Sequence, residues 1–158
     1  MGADNYLQMM IDSLSKKKNI LKEITQLNVE QDEILSASDF DEDGFQNNME
    51  SKGNCIDELN ALDEGFQSLY NRVREELEER RDNYKSEILE MKQLIKDVTE
   101  MGATVQAQES RNRVKVEAKF RQIRRDTQTA RRSATMANTY YQNMNKLSTE
   151  PQFMDKKK

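Results

Sequence analysis

Apolar side chains recur at steps of three and four along almost the whole chain, and no other feature limits its fold as strongly. Leu7, Leu14 and Leu21 stand seven residues apart beside a second column of Ile20, Leu27 and Ile34, with Met10, Ile11 and Ile24 between them. A helical turn of 3.6 residues puts all of these on one face, so the stretch reads as an amphipathic helix. A second stripe runs Phe45, Met49, Ile56, Leu59, Leu62, Phe66, Leu69, Tyr70, Val73 and Leu77. It resumes after a polar gap as Tyr84, Ile88, Met91, Ile95, Val98 and Val105, and continues through Val114, Val116, Phe120, Ile123, Ala130, Ala134, Ala137, Tyr141 and Met144. Only five Gly and one Pro occur in 158 residues, too few turn formers for a multi-stranded sandwich or barrel. The expected fold is all-α, with a narrow apolar seam in place of a thick core.

The breaks in the stripe set the expected boundaries of a single helical domain, 1–158. Helix 1 covers about residues 4–36, since a polar stretch from Ser36 to Gly44 ends its pattern. Helix 2 covers about 41–80, with Asp41, Glu42 and Asp43 suited to the positive end of its dipole. From Glu78 to Asn83 no large apolar residue occurs, so a turn is expected near residue 81. An unbroken helix from Asp41 to Leu147 would extend roughly 160 Å with no partner for most of its seam, whereas folding back buries it. Helix 3 then covers about 83–147, and Glu150 and Pro151 open a polar tail, 148–158.

Charge supports an antiparallel hairpin. Twelve acidic residues against the single Lys52 lie between Glu30 and Glu64, whereas nine basic residues against Glu117 and Asp126 lie between Arg111 and Arg132. A turn near residue 81 brings position 45 beside position 117, so the two fields attract and favour that register. The resulting architecture is an antiparallel three-helix bundle or coiled coil whose long third helix overhangs at its C-terminal end. By length, about twenty residues of helix 3 lack an intrachain partner, and an isolated helix of that size is marginal in water. Its stripe of Ala130, Ala134, Ala137, Tyr141 and Met144, bordered by Met136 and Tyr140, is therefore expected to be covered by another chain in a helix-in-groove contact.

The residue inventory argues against catalysis. There is no His, which removes the commonest general base and every Ser-His or Cys-His nucleophile pair. Glu75, Glu76, Glu78 and Glu79 form a solvated helix face, so the chain is expected not to be an enzyme. Lys and Arg from Arg111 to Arg132 invite a nucleic-acid reading, but an acidic stretch of comparable charge is expected beside them and few aromatics interleave. No stretch approaches the roughly 20 apolar residues of a membrane span, and the lone Cys55 has no disulfide partner within the chain. No nucleic acid, no membrane insertion and a cytoplasmic location are expected.

One metal motif matches by letter. The stretch DFDEDGFQNNME sets Asp39, Asp41 and Asp43 at positions one, three and five of a calcium loop, with the Phe45 carbonyl at seven and Glu50 at twelve. Gln46 stands where such loops usually carry an apolar residue, and there is no second loop to pair with. The competing reading is an acidic linker that caps helix 2. No cofactor is required, and calcium is the one metal the pattern would admit.

The stripe helix, the acidic break and the run from Glu50 through Lys52 into IDELNALDEGF, Ile56 to Phe66, resemble the FlgN-like flagellar export chaperones. The segment VQAQESRN, Val105 to Asn112, is similar to that family's third-helix segment, and FMDKKK, Phe153 to Lys158, to endings in some of its members. The FliT-like chaperones are a near neighbour. The resemblance implies a cytoplasmic type III export chaperone that binds hook-filament junction proteins through its C-terminal helix. It places client contact at Ala130, Ala134, Met136, Ala137, Tyr141 and Met144, and it makes Tyr140 and Tyr141 candidates for contact with the export gate. The alternative is a structural coiled-coil protein that self-associates through the same helix, a homodimer in the absence of client.

Overall fold

The computed structural model of the chain describes residues 2–123 and 128–145. Four α-helices form among them: α1, Ala3–Ser36; α2, Glu42–Glu79; α3, Lys85–Gln122; and α4, Gln128–Asn145, with a 3-10 turn at Arg81–Tyr84 between α2 and α3. The apolar columns become the core. Leu7, Leu14, Leu21 and Ile24 of α1 are buried, as are Phe45, Ile56, Leu59 and Val73 of α2 and Ile95, Val98 and Val105 of α3. Val114, in phase with the stripe only loosely, is 65% exposed.

Local chemistry fixes the helix ends. Ala37 stops α1 in an extended conformation, and its N–H still donates to the Glu33 carbonyl at 3.1 Å. Asp41 caps α2, its Oδ1 accepting from the Gly44 N–H at 2.9 Å, while Glu42 and Asp43 add negative charge to the first turn. A Cβ at position 44 would meet the Asp41 carboxylate where it stands, so a side chain there would require that carboxylate to turn. At the other end of α2 the Tyr84 hydroxyl donates to Glu76 at 2.7 Å and the Asn83 N–H to the Arg80 carbonyl at 3.0 Å, tying the turn together.

α1 is the spine. It runs antiparallel to α2, with Lys17 paired to Asp63 at 2.6 Å and Gln31 bonded to Asn48 at 3.0 Å. It runs parallel to α3, with Lys18 paired to Asp97 at 3.1 Å and Lys115 paired to Asp32 farther along. Among the described residues the Cα atoms of α2 and α3 nowhere come within 8 Å of each other, so α1 packs between them along one side and leaves a cleft on the other. At the turn end, Leu7, Met10 and Leu14 meet Phe66, Tyr70, Val73, Ile88 and Met91. At the opposite end α4 packs against α2 and, more lightly, α3, and among the described residues none of its Cα atoms comes within 8 Å of one in α1.

That placement corrects the expected overhang. A single third helix over 83–147 does not form: Ile123 leaves the helical conformation at φ −82°, ψ 94°, and α4 returns antiparallel to α3. Ala137, Tyr140 and Tyr141 join the core made by Leu35, Phe45, Met49 and Val116. Doubling back removes these side chains from water at roughly 25 cal/mol per Å² of apolar surface, which a projecting rod forgoes. The cleft between α2 and α3 supplies the covering partner within the chain. The polar tail, 148–158, lies outside the described residues.

The hairpin register has Phe45 beside Phe120, ring centroids 5.6 Å apart, with Phe40 against both. Aromatic contact stands at the level where charge attraction was expected. The pair that crosses from α2 to α3 further along, Lys52 with Glu109, carries its signs the opposite way round from the charge pattern.

Candidate functional site

The α4 end of the bundle holds a polar cluster built on one side chain from each helix: Gln31, Lys52, Glu109 and Tyr140. Each lies in phase with the apolar stripe, Gln31 between Ile24 and Leu35, Lys52 between Met49 and Ile56, Glu109 between Val105 and Val116. Helical spacing therefore forces these polar groups inward, where each needs a partner. Lys52 Nζ donates to Glu109 Oε1 at 2.7 Å and to Gln31 Oε1 at 3.2 Å. The Tyr140 hydroxyl donates to the second carboxylate oxygen, Glu109 Oε2, and Lys52 Nζ lies 4.3 Å from the centre of the Tyr140 ring. Asn112 Nδ2 donates to the Asn28 carbonyl at 3.0 Å and to Gln31 Oε1 at 3.2 Å, and Asn48 Nδ2 to the Leu27 carbonyl at 2.9 Å.

Burial sets the electrostatics. Lys52 is fully enclosed, and removal from water lowers its pKa against the opposing pull of Glu109. The Tyr140 hydroxyl is pushed up, first by burial and then by the neighbouring Glu109 charge, so it stays a donor. Tyr141 lies against Tyr140 with ring centroids 5.3 Å apart and sits beneath the Arg113 guanidinium at 5.0 Å. Its hydroxyl is also pushed up by burial, and it is buried without a hydrogen-bond partner among the described residues.

The client-contact candidates are thereby distributed around α4. Ala137, Tyr140 and Tyr141 face inward and are buried, Met136 and Met144 are partly buried against the same core, and Ala134 is half-buried. Ala130 belongs to α4, but its side chain lies outside the described residues. Ser133 is fully enclosed and accepts from Gln46 Nε2 at 2.9 Å, a second polar tie between α4 and α2. A hollow flanks α4 on each side. Toward α3, Val116, Phe120, Ala134, Ala137 and Tyr141 line a space of about 360 Å³. Toward α2, Met49, Gly53, Asp57, Arg132, Met136 and Tyr140 line one of about 510 Å³. The helix that sequence reasoning left uncovered is docked, with room on both flanks.

The calcium-loop residues are not brought together. Because α2 already begins at Glu42, Asp43, Phe45 and Glu50 are strung along helix, and Glu50 stands roughly 10 Å beyond Asp43 along its axis. Asp39 is exposed in the linker, Asp41 is committed to the helix cap, and the Phe45 ring is fully buried in the core. Among the described residues no group of three or more His, Cys, Asp or Glu side chains could hold a metal ion.

Sequence reasoning missed Gln31, Asn28, Lys52, Glu109 and Asn112 as interior residues. The signal was present in their spacing: 24, 28, 31, 35; 45, 49, 52, 56; and 105, 109, 112, 116 are uninterrupted helical ridges. Lys52 belongs to the Glu50-to-Phe66 run and Glu109 and Asn112 to VQAQESRN, so the two segments singled out above meet in one buried cluster.

Among the described residues no helix is long and apolar enough to cross a membrane. The family model described as FlgN protein matches residues 1–148. No curated protein and no solved structure matches the chain.

Proposed function

The chain belongs to the FlgN family of flagellar export chaperones, and from that premise we propose that it holds hook-filament junction proteins at the α4 end of its bundle before their export. Membership implies a type III export chaperone; the client and the surface are the proposal. The observation that supports this surface is the docking of α4. It rests on α2 and α3 through small side chains, two Tyr rings and a polar cluster, with hollows beside it that an apolar helix of a partner could enter.

Function on this reading is binding without turnover, carried out in the cytoplasm. A client segment laid beside α4 would bury its own apolar face together with the partly buried Met136, the helix-in-groove mode. Tyr140 and Tyr141 act as anchors that hold α4 in place. A role for either ring at the export gate requires α4 to leave the cleft, since they are 3% and 6% exposed. Self-association through the same helix would have to use the flanking hollows, since Ala137, Tyr140 and Tyr141 are buried while α4 is docked.

Calorimetric titration of the full chain with a purified junction protein tests the reading. A saturable 1:1 complex is expected, weakened at least about tenfold by Met136→Asp, which places a charge on the apolar wall. Absence of heat and of co-elution with every junction protein of the same cell would overturn it.

A further inference from the structure

The hollow between α2 and α4 has the form of a helix-binding crevice with walls of opposite charge. Its α2 wall is the ridge Met49, Gly53 and Asp57, at steps of four. Its α4 wall carries Arg131 and Arg132 at one end and Met136, Thr139, Tyr140 and Asn143 beyond them. The helices are parallel here, as the contacts from Gln46 to Ser133 and from Lys52 to Tyr140 require, so the two walls line a trough roughly 12 Å long, about two helical turns. Gly53 sits in the middle of the α2 ridge with no atom within 4 Å of where a Cβ would stand. Its lack of a side chain is not needed by any neighbour; it leaves the trough open at its centre.

The rims differ in sign. Along the outer face of α2, Glu50, Asp57 and Glu64 recur every seven residues and are exposed, whereas α4 presents the exposed Arg131 and Arg132 on the opposite rim. The partly buried Met136 supplies polarizable, adaptable surface between them, above the buried Met49.

We propose that the α2–α4 crevice at Gly53 receives an amphipathic helix of the client whose apolar seam is flanked by basic residues on one side and acidic residues on the other. The inference rests on the chaperone reading above and names the chemistry that reading leaves open. Such a helix sets its basic flank against Asp57 and the α2 acids and its acidic flank against Arg132. An occupant with one sign on both flanks meets repulsion at one rim, so the rims select a client without contributing most of the affinity.

The test uses the full chain and three labelled helical peptides that share one apolar seam, with flanks of Lys and Glu, Lys on both sides, or Glu on both sides. Fluorescence anisotropy should rank the mixed peptide first, by roughly two- to fivefold over either single-sign peptide. Arg132→Glu should move the preference to the all-Lys peptide and Asp57→Lys toward the all-Glu peptide. Gly53→Trp should fill the trough and weaken all three at least about tenfold, with its helical melt confirming a folded chain. If Gly53→Trp unfolds the protein, the preference changes of the two exposed-charge variants decide. Unchanged binding in Gly53→Trp, or a ranking that ignores both charge reversals, overturns the proposal. So does a doubling of the wild-type mass that Gly53→Trp abolishes, because a second copy then occupies the trough. A junction protein that binds wild type and folded Gly53→Trp equally removes the crevice and leaves the chaperone reading standing. Peptides that bind as described while no junction protein does remove the client and leave the crevice.

Discussion

Lys52 Nζ lies 2.7 Å from Glu109 Oε1, joining α2 to α3 between helices whose Cα atoms do not come within 8 Å of each other. Glu109 is 3% exposed and Lys52 not at all, so the pair sits in a low-dielectric interior where each charge depends on the other and on Gln31 and Tyr140. A buried pair of this kind adds little net stability over apolar residues, yet it penalises any arrangement that separates its members. Because Tyr140 completes the Glu109 carboxylate, the position of α4 is tied to the same cluster.

Replacing Lys52 by Met should destabilise the fold by about 3–5 kcal/mol, because Glu109 is then left charged and short of donors. Adding Glu109→Leu to that variant should recover about 2 kcal/mol or more of the loss, since the uncompensated charge is gone. Urea unfolding of the two single variants and the double variant measures both quantities. Additive losses would show that the two charges do not act as a pair.

The adjacent tyrosines should respond oppositely to loss of their hydroxyls. Tyr140→Phe removes a donor from the buried Glu109 carboxylate and should cost about 1–3 kcal/mol. Tyr141→Phe removes a hydroxyl that is buried without a partner among the described residues and should be neutral within about 0.5 kcal/mol or stabilising. Thermal melts of the two variants side by side make the comparison, and equal losses would contradict the assigned roles.

Cys55 is buried, and burial, with the Glu23 carboxylate adding to it, pushes its thiol from 9.0 up to about 12. At pH 8 the folded thiol should react with a disulfide reagent roughly a thousandfold more slowly than the same thiol in urea, from the lower thiolate fraction alone. The folded state holds its proton more tightly than the unfolded state does. This contribution to stability is therefore complete below pH 9 and is lost as the pH rises from 9 toward 12. A Cys55→Ala chain should show a flatter fall in stability over that interval.

The acidic linker acts as a helix start in the structure. Asp41→Ala should cost about 1 kcal/mol by removing the acceptor for the Gly44 N–H. Calcium at millimolar concentration should leave the melting temperature unchanged within error. A rise of several degrees that depends on Asp39 and Glu50 would mean that the loop unwinds from α2 and closes on the ion.

Much of this fold is legible in the chain. The stripe from Leu7 to Leu21 and the ridges through Phe45 to Leu77 and Ile88 to Val105 give all-α structure, because two-face periodicity needs no tertiary information. Phe45 does stand beside the C-terminal part of α3, against Phe120. The return of α4 is not legible, because Arg, Gln and Thr around Ile123 fit a continuing helix as well as a bend. Nor does length counting reveal that α2 and α3 stand apart and leave a cleft that Tyr140 and Tyr141 can fill. Lys52 and Glu109 read as surface residues because their charge outweighs their phase in any residue-by-residue reading, although their spacing places them inside.

The most direct test of the chaperone account is the mass of the purified chain by light scattering, alone and after mixing with a hook-filament junction protein. The account predicts a species near 18.5 kDa that is converted to a 1:1 heterocomplex at stoichiometric client. A dimer whose mass does not change with concentration and which takes up no junction protein would contradict it.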